Sequence, residues 1–247
     1  MYQMGFVGIY CDSWVDTGSV HVCCGRREGL NRRVHLRRRA KYDVIRCAEV
    51  EGASEFDAGT LREMLTTGKR ADRARAVNLA RHLPPADCLD LLLEAVTSKD
   101  PQIRYAAISQ MAEVGKTDPD RVMKVAAELL VADPESSVQS GAADVLASLQ
   151  VPGAFDILEE ALRNTKDWML QFSILAGLGE LGDQRAYDVL VEAMSSEEDL
   201  LRVAAVGALG ELGDVRAIPL IEELAEKAED PALRDRAQYA LNRLKSA

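Results

Sequence analysis

The sequence predicts an all-α fold, a solenoid of about five to six stacked helix pairs, and three observations predict it. The string Leu-Gly-Glu-Leu-Gly-Asp occurs at 178–183 and again at 209–214, 31 residues apart, and self-similarity at such a period marks a repeat array. Around it, Ile103, Val138, Leu170, Leu201 and Leu233 fall at steps of 35, 32, 31 and 32 residues, each followed by an apolar residue four and eight places on. Those are Ala107, Ala142, Ile174, Ala205 and Ala237, then Met111, Leu146, Leu178, Leu209 and Leu241, one apolar stripe at helical spacing. Finally, 47% of residues are hydrophobic but only 5% aromatic, so Ala and Leu do the packing and strand-like alternation is absent.

Taken in order, residues 48–67 read as a linker and leading helix, and 68–247 as the solenoid. A weak copy runs from Asp72 through Ala76, Ala80 and Leu83 to Pro84-Pro85, and is expected to cap the array at its N-terminus. The first helices of the five clear pairs read Leu89–Val96, Val122–Leu130, Ala154–Leu162, Ala186–Met194 and Ala217–Leu224. The second helices follow the apolar openers named above. Asp100-Pro101, Asp133-Pro134 and Asp230-Pro231, with Asp167 and Asp199 in the other two copies, predict helix starts. Aspartate accepts from free amides there, and proline's missing donor costs nothing in a first turn. Ala106, Gly141, Ser173 and Ala204 mark expected close helix approaches. One such pair cannot bury its apolar side alone, whereas stacked pairs form a continuous core.

Charge divides the chain. Residues 1–47 carry nine Lys or Arg against four Asp or Glu, and residues 48–247 carry 21 against 36, so net charge passes from +5 to −15. The basic run Arg32-Arg33, Arg37-Arg38-Arg39 and Lys41 leads to Ile45-Arg46-Cys47-Ala48, which reads as an organelle transit peptide cut near Cys47. A misassigned upstream start codon and a disordered basic arm are the other readings of the same run. The transit-peptide reading places the protein in the chloroplast stroma, the misassigned-start reading in the cytoplasm of a cyanobacterium. Ser13 and Ser19 alone stand where a transit peptide is usually Ser-rich.

The remaining chemistry is sparse. Past residue 47 there is one thiol, Cys88, in an apolar helical stretch, and one histidine, His82, at a helix end. Cys88 reads as a small buried residue, His82 as a solvated or capping one, and neither supports nucleophilic or acid–base catalysis. Cys23-Cys24 lacks the spacing and companions of a zinc site. No His-Glu pairs of a di-iron hydroxylase occur, and Gly177, Gly179, Gly182, Gly207, Gly210 and Gly213 sit in helical repeats without the strand a phosphate loop needs. No catalytic residue and no metal ligand is assigned. The acidic balance argues against nucleic acid as a partner, and no apolar run approaches the roughly 18 residues that cross a bilayer, so no membrane insertion is expected.

The acid, Pro, apolar residue, Arg, small-residue helix and Leu-Gly-x-Leu-Gly-Asp close resemble the short HEAT-like repeats of the phycobilisome (bilin) lyase family over about residues 68–245. Ile103-Arg-Tyr-Ala-Ala-Ile-Ser-Gln-Met111, Asp133-Pro-Glu with Val138-Gln139, and Asp167-Trp-Met-Leu-Gln-Phe-Ser-Ile174 are most similar to its NblB-type phycobilisome-degradation branch and plastid relatives. The resemblance implies a protein that handles linear tetrapyrroles (bilins) or the antenna, phycobiliprotein-like proteins bearing them, with a second repeat protein as a further partner. No cofactor is required, and lyase-like activity is implied by resemblance alone. The alternative is a non-enzymatic interaction scaffold of the stroma with no pigment affinity.

Register suggests where a ligand would sit. One and two places after each opener stand Arg104, Tyr105, Gln139, Ser140, Gln171, Phe172, Arg202, Val203 and Arg234. Arg104, Arg202 and Arg234 form a ladder able to pair with bilin propionates, or else each stitches its repeat to a neighbouring turn aspartate. Trp168, Phe172 and Tyr105 are aromatic rings that stack on flat ligands or anchor interfaces. Trp168 takes a helix-start place where a large ring stays exposed, and Asp144 shares a register with Ser109 and could hydrogen-bond pyrrole nitrogens.

Overall fold

The computed structural model describes residues 57–246. The proposed transit segment, its cysteines and the start of the proposed linker lie outside the described residues. Among the described residues twelve α-helices form six antiparallel pairs: α1 (Ala58–Thr67) with α2 (Arg70–Leu79), α3 (Pro85–Ala95) with α4 (Pro101–Val114), α5 (Pro119–Ala132) with α6 (Ser136–Leu149). The remaining three are α7 (Ala154–Asn164) with α8 (Trp168–Leu181), α9 (Ala186–Ala193) with α10 (Asp199–Leu212), and α11 (Ile218–Lys227) with α12 (Pro231–Ser246). Single 3-10 turns at Ala80–His82, Gly115–Thr117 and Val215–Ala217 complete the connections.

The apolar stripe is the core. All fifteen residues of the three register rows, from Ile103 to Leu241, are buried, because each second helix turns that stripe onto the first helix of its own pair. The weak first copy ends differently from the expectation. Pro84 and Pro85 do not merely close it: Pro85 opens α3 from its first turn, so the helix begins four residues before Leu89.

The second helices form the tighter layer. α4, α6, α8, α10 and α12 pack side by side in sequence, and small residues set their spacing. A methyl group on Gly179 would lie 2.6 Å from the Ala208 Cα, one on Gly210 2.8 Å from the Ala240 Cα, and one on Gly177 3.1 Å from the Ala147 methyl. Between first helices the spacing opens. A groove of about 430 Å³ separates α5 from α7, lined by Leu130, Val131, Ile157 and Ala161, and one of about 260 Å³ separates α7 from α9. An array tight along its second helices and loose along its first bends toward the second helices, whose outer surface becomes the concave one.

Helix ends explain the Leu-Gly-x-Leu-Gly-Asp string. Its second glycine, Gly182 after α8 and Gly213 after α10, takes φ of 74° and 76°, the left-handed conformation that ends a helix without a Cβ clash. After α6 the same place is Gln150, at φ 52°. The aspartate accepts from the amide two residues on and clamps an arginine. Arg185 pairs with Asp183 at 2.8 Å and lies 4.3 Å over the Phe155 ring of the previous first helix, and Arg216 repeats this with Asp214 and Tyr187 at 2.5 and 4.0 Å. The string therefore joins repeats as well as ending them.

Candidate functional site

The sequence places residues one and two positions after each opener together, but the fold sends them to different surfaces. The first of them turns toward the loop before its own helix. Arg104, Gln171, Arg202 and Arg234 each donate to the carbonyl six residues back, that of Ser98, Thr165, Ser196 and Ala228, at 3.0, 3.1, 2.8 and 2.7 Å. The same loop position closes a second bond. Ser98, Asp133, Thr165 and Ser196 accept, through their side chains, from the amide of the residue preceding the helix by one, at 3.0–3.2 Å.

This turn corrects two of the expected caps. Asp100, Asp167 and Asp230 stand three places before their openers and accept from helix amides as predicted. Asp133 stands five places before Val138, so Pro134 lies in the loop and Glu135 holds the cap position. Asp199 is already inside α10, paired with Arg202, behind Glu198.

Arg104 is the deepest of the ladder. It pairs with Asp133 through two hydrogen bonds of 2.6 and 2.8 Å, with 11% of its side chain and 2% of its partner's exposed. Burial alone would raise the Asp133 carboxyl, but the guanidinium and the Glu135 amide hold it below the usual carboxylate range. Arg70 with Asp100, and Ser136 with Asp167, make the equivalent links of other repeats. Of the two readings of the ladder, stitching to neighbouring turns describes Arg104. Arg202 and Arg234 are tied to their own turns. Their guanidinium groups are taken up by the fold, and the ladder is not a free row of forks.

The second position faces outward. On α4, α6, α8 and α10 the outward stripe lies one place before the opener and then two, six and ten places after it, exposed throughout on α4, half-buried at Ser140 and Ser148 on α6 and buried at Gly207 on α10. On α4 it reads Gln102, Tyr105, Ser109 and Glu113; on α6 Ser137, Ser140, Asp144 and Ser148; on α8 Met169, Phe172, Ala176 and Glu180. On α10 it reads Leu200, Val203, Gly207 and Glu211. The start of each stripe is therefore apolar on α8 and α10, and its far end is acidic on α4, α8 and α10.

Four large apolar side chains on or beside this surface stay in water: Tyr105 is 47% exposed, Trp168 45%, Met169 44% and Leu200 51%. Phe172 and Val203, between them in register, are half-buried against the core. Met169 and Leu200 are as exposed in proportion as the aromatics, and sequence reasoning missed them because each stands one place before its opener, outside the positions one and two places after it.

Asp144 combines two properties that rarely coincide. It is solvent-accessible, yet its carboxyl is pushed up to about 6, first by burial and then by the charge of Glu180. Among the described residues no Lys or Arg pairs with Asp144 or Glu180, whereas Glu211 of the same row is held by Arg243 at 2.6 Å. Ser109, its partner in register, donates to the Tyr105 carbonyl at 2.8 Å. Arg236 lies over Gly207 and 5.3 Å from the Tyr239 ring, so α12 closes one end of the surface with positive charge.

Cys88 is buried and its thiol is pushed up by burial and by the Glu113 charge, which removes it from thiolate chemistry. His82 is exposed in the Ala80–His82 turn. Among the described residues no group of three or more His, Cys, Asp or Glu is gathered as metal ligands, and no helix is long and apolar enough to cross a membrane.

An all-α array of stacked helix pairs defines the class of helical-repeat proteins. The chain belongs to the HEAT-repeat family, whose pattern it matches over residues 59–147 and 158–242. No curated protein matches it. Among solved structures it is similar to an engineered protein at 19% identity and a TM-score of 0.51, covering 77% of this chain and 97% of that one. A designed armadillo repeat protein in complex with the peptide (KR)4 matches at 14% and 0.49, over 76% and 100%, and human deoxyhypusine hydroxylase at 12% and 0.38, over 79% and 97%. These likenesses concern the fold.

Proposed function

We propose that this protein is a non-enzymatic binding scaffold that holds another protein on the inner surface of its second helices. One observation carries the reading: Tyr105, Trp168, Met169 and Leu200 leave nearly half of their area in water on or beside one surface, while the core beneath them is complete. Exposed apolar side chains clustered on one face and rimmed by polar residues mark interaction surfaces. On the first helices Val131 of α5 and Leu220 of α11 are exposed too, but singly and on helices that are not neighbours.

Photoreactive benzoylphenylalanine in place of Tyr105 or Leu200 in the full chain is expected to crosslink the same protein in an extract of the source cells. In place of Lys124, exposed on α5 of the outer layer, it is expected to crosslink little. Equal yields from position 124, or none from the inner surface, overturn the reading.

The exposed Trp168 ring supports a second reading, a linear tetrapyrrole stacked at the start of α8, its partner an antenna-type protein of a plastid or a cyanobacterium. Titration with phycocyanobilin and with haem separates the two. Saturable binding at low micromolar concentration, weakened by Trp168→Ala, supports the pigment, and unchanged spectra leave the scaffold alone.

A further inference from the structure

We propose that the inner surface of α8 and α10, with the Asp144–Glu180 pair beside it, receives a cationic amphipathic helix of a partner protein. This rests on the scaffold reading and names the partner's chemistry. The apolar part repeats from one helix to the next: Met169 and Phe172 on α8 take the register of Leu200 and Val203 on α10. Packed helices lie about 8–10 Å apart, and residues seven apart on a helix are separated by about 10 Å along its axis. A helix laid across α8 and α10 would therefore meet the two apolar pairs with one stripe of its own.

Charge complementarity fixes the other side of that helix. Glu180 lies eight residues beyond Phe172 on α8, about 12 Å along the axis, which is the width of a helix with its side chains. Asp144 follows Ala143, whose carbonyl on α6 faces Gly177 of the packed α8, three residues before Glu180, so the two carboxylates stand on adjoining turns, and among the described residues neither has a cation. A Lys or Arg on the flank of the incoming helix would relieve two like charges at once, which the protein's own side chains do not do. The array's net acidity draws such a segment in from a distance. Arg236, lying over Gly207 of α10, and the Arg243–Glu211 pair beside it put positive charge on the α10 side and direct the cationic flank toward Asp144 and Glu180.

A helix suits the surface better than an extended strand. An extended segment offers unpaired N–H and C=O groups along its length, and between the apolar and acidic rows of α8 the surface presents Ala176, which has no side-chain donor or acceptor for them, while Gly207 of α10 is buried beneath Arg236. A helix satisfies its own backbone and needs only apolar contact and charge.

The test uses the full-length chain and fluorescein-labelled Leu/Lys peptides of roughly 14 residues, about four helical turns. One has helical periodicity, an isomer of equal composition alternates strictly, and a third carries Glu for Lys. Anisotropy titrations are expected to show micromolar binding of the helical Leu/Lys peptide and binding at least about tenfold weaker for the other two. Asp144→Asn with Glu180→Gln is expected to weaken the helical peptide about tenfold and flatten its salt dependence. Met169→Ser with Leu200→Ser is expected to weaken it by a similar factor, circular dichroism showing both variants folded. Wild-type affinity in either variant, equal binding of the alternating isomer, or no binding at all overturns the proposal. If the proposal fails while positions 105 and 200 still crosslink a partner, the surface holds a protein of other chemistry and the scaffold reading stands. Failure of both removes both.

Discussion

Two neighbouring positions on the same helix, one and two places past the apolar opener, have opposite fates. At the first, Arg104, Gln171, Arg202 and Arg234 are bound into the turn behind them, and Arg104 is buried with Asp133 between two repeats. At the second, Tyr105, Phe172 and Val203 point to the inner surface, beside Asp144 and Glu180, which have no cation among the described residues. A rotation of about 100° per residue is the whole difference. The first edge closes the turns and, at Arg104, joins two repeats, and the second is free to bind.

Substitutions on the two edges should therefore separate stability from recognition, and the largest effect lies on the stitched edge. Arg104→Ala leaves Asp133 buried and unpaired, and urea unfolding should show a loss of about 3 kcal/mol. Because Asp133 is held below its ordinary value in the folded chain, the wild-type advantage is present above the unfolded pKa and disappears as pH falls through the folded one. The same loss at pH 7 from Tyr105→Ala would break the comparison.

Next comes the spacing of the inner layer. Gly179→Ala puts a methyl group 2.6 Å from the Ala208 backbone, so α8 and α10 must part, at a cost of about 2 kcal/mol in thermal unfolding. Its neighbour Ala176, on the exposed stripe of the same helix, should accept Ser with little change.

Two changes should stabilise. Gln150→Gly relieves a left-handed backbone that glycine adopts without strain and should add about 1 kcal/mol. Asp144→Asn removes a carboxyl whose pKa is raised by folding to about 6. A raised acid binds its proton more tightly in the folded state, so wild-type stability declines as pH rises from about 4 to about 6, and above that the penalty is complete. The variant should therefore be more stable at pH 7.5, and the gain should vanish near pH 4. Asp144 is solvent-accessible, so roughly 1 kcal/mol or less is expected, well under what such a shift would mean for a fully buried group. Smallest of all, Leu200→Ser should move stability by under about 0.5 kcal/mol while weakening partner capture. That pair of results would sharpen the contrast most, since it assigns Leu200 a role in recognition and none in folding.

Periodicity made much of the fold legible before any coordinates. Openers such as Ile103 and Leu170, with the residues four and eight places on, were readable as core because a helix turns those positions to one side whatever surrounds it. The glycines at 182 and 213 were visible only as part of a string, and their role required the backbone angle. Of the candidate site, the exposure of Trp168 at a helix start was readable, and so was the shared register of Asp144 and Ser109. Met169 and Leu200 were missed because an apolar residue beside a buried opener looks like more core.

By itself, then, the sequence determined the all-α repeat architecture, the residues that make its core and the pairing of helices, because these follow from helical periodicity and local turn chemistry within about 35 residues of chain. Only the tertiary structure decided which polar residues are consumed and which remain available. Arg104 and Arg202 look equally free in one dimension, and Asp144 looks like any solvated carboxylate. Their states depend on what the folded chain brings beside them: Asp133 of the next repeat against Arg104, the carbonyl of Ser196 in its own turn against Arg202, and Glu180 of the next repeat beside Asp144. Local pattern sets where a side chain points, and the stacking of repeats sets what it meets there.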